Sequence, residues 1–261
     1  MLHLKTPEEI DLLRKAGRVV ADILDHIGTA VRPGVSTGEL DRIAEEHISA
    51  CGGTAAFKGY RMTSSTPPFP GIVCASINDE IVHGIPSDER KLEEGDILSI
   101  DVGVCLNGYF GDAACTYPVG AISPERQKLL EVTETSLNRA IEAARVGKTV
   151  GDIGYAVESY AVPLKYGIVR DYTGHGVGRK LHEAPQVPNF GRPGRGVMLQ
   201  RGLTLAIEPM IMSGREAVRV GENGWTVLTA DGSDAAHFER SIVVLDDGPE
   251  ILTPWTSRMG R

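Results

Sequence analysis

Asp101 and Asp112 flank a run whose centre is Asn107-Gly108, set between apolar residues on either side. Asn and Gly both tolerate the positive φ that a type I′ turn demands, so the run reads as a two-residue β-hairpin. With Leu106 paired to Tyr109, Asp112 falls opposite Gly103 and Asp101 opposite Ala114. The two acids then lie diagonally on one face, about 7–8 Å apart at the backbone, near enough for both carboxylates to converge on one cation. Gly103 is expected to leave room between them.

Further acids and imidazoles stand where a solvated role is hard to assign. Glu208 ends the apolar run Leu203-Thr204-Leu205-Ala206-Ile207, and Pro209 after it keeps the backbone extended. Glu239 lies in a second β-rich run, Phe238-Glu239-Arg240-Ser241-Ile242-Val243, alternating faces with its neighbours. Gly174-His175-Gly176-Val177-Gly178-Arg179-Lys180-Leu181-His182 carries two histidines, and its glycines rule against a helix and are expected to let backbone approach a ligand. His83 follows the apolar Ile81-Val82 and precedes the turn Gly84-Ile85-Pro86. Four carboxylates with imidazole nitrogen form the donor set of hard or borderline divalent ions such as Mn, Fe, Co or Zn. The absence of cysteine from the set argues against a structural zinc knot. So many acids point to two ions sharing bridging carboxylates and a hydroxide, which provides a nucleophile at neutral pH beside a Lewis acid.

The elements that must position these groups are legible from their punctuation. Thr6-Pro7-Glu8-Glu9 is a capping box with proline at the first helical position, and Ile10, Leu13, Ala16 and Val20 continue one apolar face until Arg32-Pro33-Gly34. Ser36 caps a second helix to about Ala50. Extended segments are predicted near 71–78, 97–106 and 109–119, a long helix from Ser123-Pro124-Glu125 to about Ala144, and another over 149–166, closed by Gly167. Strands are expected near 203–212, 225–229 and 238–245. Residues 32–40 also align with 145–153 at a constant offset of 113, each reading Arg, Gly and a Ser or Thr cap before a helix. This repeat predicts one catalytic domain, 1–261, of two pseudo-symmetric halves, about 1–120 and 121–250, facing each other across a cleft that holds the site. A shared curved sheet would line it.

A formal charge of −8 and a pI near 5.4 exclude a basic footprint for nucleic acid or an anionic membrane surface. No stretch approaches a membrane span, and the N-terminal residues lack the apolar core of a signal peptide. Cys51, Cys74, Cys105 and Cys115 form no Cys-x-x-Cys and read as buried reduced thiols, which places the protein in the cytoplasm.

Taken in order, His83-Gly84-Ile85-Pro86, Asp101, Asp112, Gly174-His175-Gly176-Val177-Gly178, His182-Glu183, Ile207-Glu208-Pro209-Met210, Gly224-Trp225-Thr226 and Glu239 closely resemble the methionine aminopeptidases. The resemblance spans nearly the whole chain. It implies an α+β, pseudo-twofold "pita-bread" fold with a mostly antiparallel curved sheet, and removal of initiator methionine from nascent proteins and peptides whose second residue is small. The short gap from His182 to Glu208 and the short lead before Thr6 imply the type I, bacterial-like form. Carried over, Asp101 chelates one ion, His175 and Glu208 the other, and Asp112 and Glu239 bridge them. Glu208 doubles as the base, His182 steadies the developing oxyanion, and His83 meets the substrate amine or the following amide. The expected partners are N-terminal Met peptides and nascent chains, with transient ribosome association by a monomer.

This chain departs from the family pattern in two places. Leu181 stands where the family often has an aromatic residue, and the family's short aromatic loop is spread across Phe57-Lys58-Gly59-Tyr60 and Phe69-Pro70, with residues 61–68 inserted. Tyr60, Phe69, Cys74, Leu181 and Trp225 are the pocket residues this implies. Two alternatives are an Xaa-Pro aminopeptidase or prolidase, which shares the fold and ligand types, and a metal-free relative that only binds ribosomes or other proteins.

Overall fold

The computed structural model describes residues 2–64 and 66–257. Its helices are α1 (Pro7–Ala30), α2 (Thr37–Ala50), α3 (Pro124–Ala143) and α4 (Val150–Ala161). The first half of the chain carries strands β1 (Thr54–Ala55), β2 (Val73–Ile77), β3 (Glu80–Val82), β4 (Ile97–Leu106) and β5 (Tyr109–Pro118). The second carries β6 (Gly167–Ile168), β7 (Gly174–Gly176), β8 (Glu183–Val187), β9 (Thr204–Ile207), β10 (Met210–Met212), β11 (Val218–Val220), β12 (Val227–Thr229), β13 (Ala235–His237), β14 (Arg240–Leu245) and β15 (Gly248–Ile251). Among the described residues no helix is long and apolar enough to cross a membrane.

The helices begin where their caps require. The Thr6 hydroxyl accepts the Glu9 N–H while the Glu9 carboxylate accepts the Thr6 N–H, and Ser36 and Glu39 repeat the exchange at α2. Leu13, Val20, Leu24 and Ile27 turn one face of α1 to the sheet and are fully buried, each worth about 1.5–3 kcal/mol of transfer free energy. The helix predicted over 149–166 is shorter. Pro163 cannot donate to the α-helical ladder, so α4 stops at Ala161, one 3-10 turn follows over Val162–Leu164, and Lys165 rather than Gly167 takes the left-handed conformation. Gly167 instead opens β6.

The two junctions related by the offset of 113 are built alike. The Gly34 N–H donates to the Leu92 carbonyl and the Leu92 N–H to Val35; the Gly147 N–H donates to Leu199 and the Leu199 N–H to Lys148. Ser36 bridges to Lys91 as Thr149 bridges to Met198.

All strand pairs are antiparallel. The curved surface is parcelled into four hydrogen-bonded groups, ordered β1-β4-β2 with β5 on β4, β13-β10-β6, β11-β12-β3, and β15-β14-β9-β7-β8. Pro209, which has no N–H, separates β9 from β10. The first group meets the last at one line of contact, where the Glu239 N–H donates to the Ala114 carbonyl at 2.9 Å and the Ser241 hydroxyl to the Asp112 carbonyl at 2.7 Å. That seam brings acids from distant parts of the chain side by side. Cys74 and Cys115 are buried, whereas Cys51, which caps α2, and Cys105, next to the hairpin turn, are only half-buried. All four thiols are free.

Candidate metal centre

The hairpin forms in the register that Asn107-Gly108 dictates. Both turn residues have positive φ, 52° and 78°, and Leu106 pairs with Tyr109, Gly103 with Asp112 and Asp101 with Ala114. Gly103 serves a different purpose from the one expected. A Cβ there would meet Ala56 and the ring of Phe57, so the glycine admits the pocket wall rather than spacing the two acids. The glycines around His175 likewise admit protein backbone rather than a ligand. A Cβ on Gly174 or Gly176 would run into the carbonyl oxygens of Ala206 and Ala184 on the flanking strands.

Five ligand-type side chains converge on the floor of one cavity of about 260 Å³: Asp101, Asp112, His175, Glu208 and Glu239. His175 Nε2 lies 3.5 Å from Asp112 Oδ2 and 3.6 Å from Glu208 Oε1. One donor atom from each of Asp112, His175 and Glu239 can be chosen so that all three lie within 4.8 Å of one another. Ligands held about 2.1 Å from one ion at angles of 90–120° stand about 3.0–3.6 Å apart. The observed separations match that range and exceed hydrogen-bond length. The His175 Nδ1–H donates to the Gly176 carbonyl at 2.9 Å, which leaves Nε2 with its lone pair turned to the acids.

The electrostatics ask for a cation. Among the described residues, Asp101 Oδ1, Asp112 Oδ1 and Glu239 Oε1 are buried with no hydrogen-bond partner. Burial raises the Asp101 carboxyl to about 7. Burial, and then the charge of neighbouring acids, pushes Asp112, Glu208 and Glu239 well above the usual carboxylate range. Burial also depresses the nearby imidazoles, His175 and His83 to about 4 each, with His182 adding repulsion to both. Orphaned oxygens, ligand-like spacing and carboxylates that resist ionising without a partner fit a divalent cation here.

Tyr60, Phe69, Cys74, Leu181 and Trp225 line the same cavity, as do His83 and His182. Phe69 meets the Trp225 ring edge-on at 5.2 Å, and the Trp225 Nε1–H donates to the Pro67 carbonyl at 3.0 Å. The inserted residues 61–68, of which Ser65 lies outside the described residues, are thereby tied to the pocket wall. Their neck is closed by mutual backbone bonds, the Gly59 N–H to Phe69 and the Phe69 N–H to Tyr60. His182 sits at the more exposed mouth, where its Nδ1 lies 3.2 Å from the Tyr60 hydroxyl. His83 has a left-handed φ of 60° and packs edge-on against Tyr172 and Trp225.

Sequence reasoning missed His237, Tyr172, Met62 and Met210, which also face the cavity. His237 left one usable sign, since it stands two residues before Glu239 in a β-rich run and so shares its face. Tyr172 left none, because its loop has no periodicity.

A buried set of acids and one imidazole, spaced for ions and opening into an apolar pocket, is the equipment of a metal-dependent hydrolase. The sequence model described as metallopeptidase family M24 matches residues 11–246. The chain belongs to that family, on its methionine aminopeptidase branch. It is 48% identical to the methionine aminopeptidase of Clostridium acetobutylicum over 97% of this chain and 99% of the relative, and 49% identical to that of Clostridium perfringens over the same shares. Among solved structures, the methionine aminopeptidase of Thermotoga maritima superposes with a TM-score of 0.93 at 42% identity, covering 97% of this chain and 99% of the other.

Proposed function

We propose that this protein removes N-terminal methionine from peptides and nascent chains whose second residue is small, working as a single catalytic domain of two halves with two divalent ions. The observation that carries this reading is the joining of an ion-spaced acid cluster to an aromatic-lined pocket in one cavity. At about 260 Å³ the cavity lies below the ~300–1,000 Å³ usual for larger ligands, so it suits one side chain and not an extended peptide.

Asp101 would hold one ion, His175 and Glu208 the other, with Asp112 and Glu239 shared between them. Bound divalent ions supply Lewis acidity to the scissile carbonyl and a nucleophile at neutral pH. Phe69, Cys74, Leu181 and Trp225 enclose the methionine side chain and keep water out. His83 stays neutral because burial holds it near 4, so it faces the free amine without repelling it. Its ring contacts orient the peptide from the pocket floor. Glu208 receives the proton released as the carbonyl is attacked, a role that its place beside His175 in the ion-spaced cluster allows. His182 donates from Nε2 to the developing oxyanion, with the Tyr60 hydroxyl beside Nδ1 free to donate to that nitrogen.

The site of action is the cytoplasm, in agreement with four free thiols, and the protein acts as a monomer in transient contact with the ribosome. The test is peptide cleavage by ion-stripped protein, with and without Mn or Co. Ion-dependent release of methionine from Met-Ala-Ser supports the reading. Alanine released from Ala-Pro-Ser would replace it with a proline-directed peptidase, and neither product would leave a binding role.

A further inference from the structure

Glu208 lies between two imidazoles. Its Oε1 faces His175 Nε2 at 3.6 Å, and its Oε2 faces His237 Nε2 at 3.8 Å. The same His237 nitrogen lies 3.9 Å from Glu239 Oε2, so it addresses the outer oxygens of two acids at once. His237 is 2% exposed, and its Nε2 has no hydrogen-bond partner among the described residues. Its backbone is pinned from both sides by Thr116, whose hydroxyl donates to the His237 carbonyl at 2.8 Å and accepts the His237 N–H at 3.0 Å. Ser99 supports that hydroxyl at 2.8 Å. The His237 backbone is therefore fixed, and its Nε2 faces the two acids.

We infer that His237 is a positioning residue for the metal centre: its Nε2–H directs the outer oxygens of Glu208 and Glu239, so that their other oxygens face the ion. The inference rests on the metal-centre reading above and adds to it a residue outside the ligand set. One observation separates it from direct ligation. His237 approaches Glu208 on the oxygen opposite the one beside His175. An imidazole has a ring N–H to give, and the two carboxylate oxygens are the acceptors that its Nε2 faces. Carboxylates that ligate ions are commonly fixed in this way by a neighbouring donor.

The test is calorimetric titration of ion-stripped protein with Mn(II), comparing the parent with His237→Leu and His237→Gln. Removing the donor is expected to weaken affinity for the first ion by about 10–100-fold, and Gln, which restores an N–H of similar reach, is expected to recover it to within roughly threefold. Equal affinity in all three proteins overturns the inference, as does equal loss in Leu and Gln, which marks the imidazole as a ligand. Should His237→Leu fail to fold, 15N NMR of the parent's histidines on addition of Zn(II) decides. An Nε2 proton kept and shifted supports the role; an Nε2 proton lost to the ion overturns it. A parent that binds no ion overturns the metal-centre reading as well, whereas ion binding indifferent to His237 overturns this inference alone.

Discussion

Replacing Asp101 by Asn should stabilise the ion-free protein while weakening its response to metal. An acid that titrates at about 7 rather than 3.8 resists ionisation in the fold, and since a tenfold change in acidity is worth about 1.4 kcal/mol, the resistance amounts to ~4 kcal/mol. The sign follows from the direction of the shift. A raised acid lends stability that is fully present below 3.8 and is lost as pH rises through about 7, so at pH 8 the parent has lost nearly all of it. Asn has no such loss. It also removes the charge that helps to raise Asp112, Glu208 and Glu239. Against this, burying a new amide without full hydrogen bonding costs about 1–3 kcal/mol, which leaves a net gain of about 1–3 kcal/mol. The assay is urea denaturation of chelator-treated protein at pH 8 and at pH 5, where the charge advantage should shrink to less than about half. Mn(II) should then stabilise the parent by mass action and Asp101→Asn far less. An Asn variant less stable than the parent at pH 8 without ions, or one that gains as much from Mn(II), would refute the reasoning.

Ion-free stability of the parent should change little between about pH 5 and 6.5 and fall above pH 7. In the lower window four depressed imidazoles, His83, His175, His182 and His237, give up protons on folding while four raised carboxylates take them up; above pH 7 only the carboxylates still do, and thermal unfolding across pH checks this. For the same reason ion binding near pH 7 should release protons and tighten as pH rises, measured by calorimetry in buffers of different ionisation enthalpy. Gly84→Ala should destabilise by about 1–3 kcal/mol and lower kcat/KM on a Met-Ala-Ser peptide, because the added methyl would collide with the Ala75 carbonyl under the His83 turn; unchanged melting and turnover would count against that packing.

Where chemistry and conformation are local, they can be read from the chain alone. Asn107-Gly108 set the turn, the turn set the register, and the register put Asp101 and Asp112 on one face, because a two-residue loop leaves no other pairing. Capping boxes at Thr6 and Ser36 started their helices for equally local reasons. The glycines misled. What Gly103 and Gly174 make room for lies far away in sequence, on Phe57 and Ala206, and what Gly176 makes room for lies on the next strand, at Ala184; no local rule names those neighbours.

By itself, the sequence determined the donor types, the hairpin that presents two of them and the helices that carry the strands, since each follows from side-chain chemistry and short-range backbone preference. Only the tertiary structure decided that Glu239 meets Ala114 across the seam, that Trp225 holds the inserted loop through Pro67, and that His237 stands behind Glu208 and Glu239. The first two contacts join the two halves and exist only once burial of the shared core has set one against the other; the third follows from the pairing of β9 with β14 within the second half, which no local rule names.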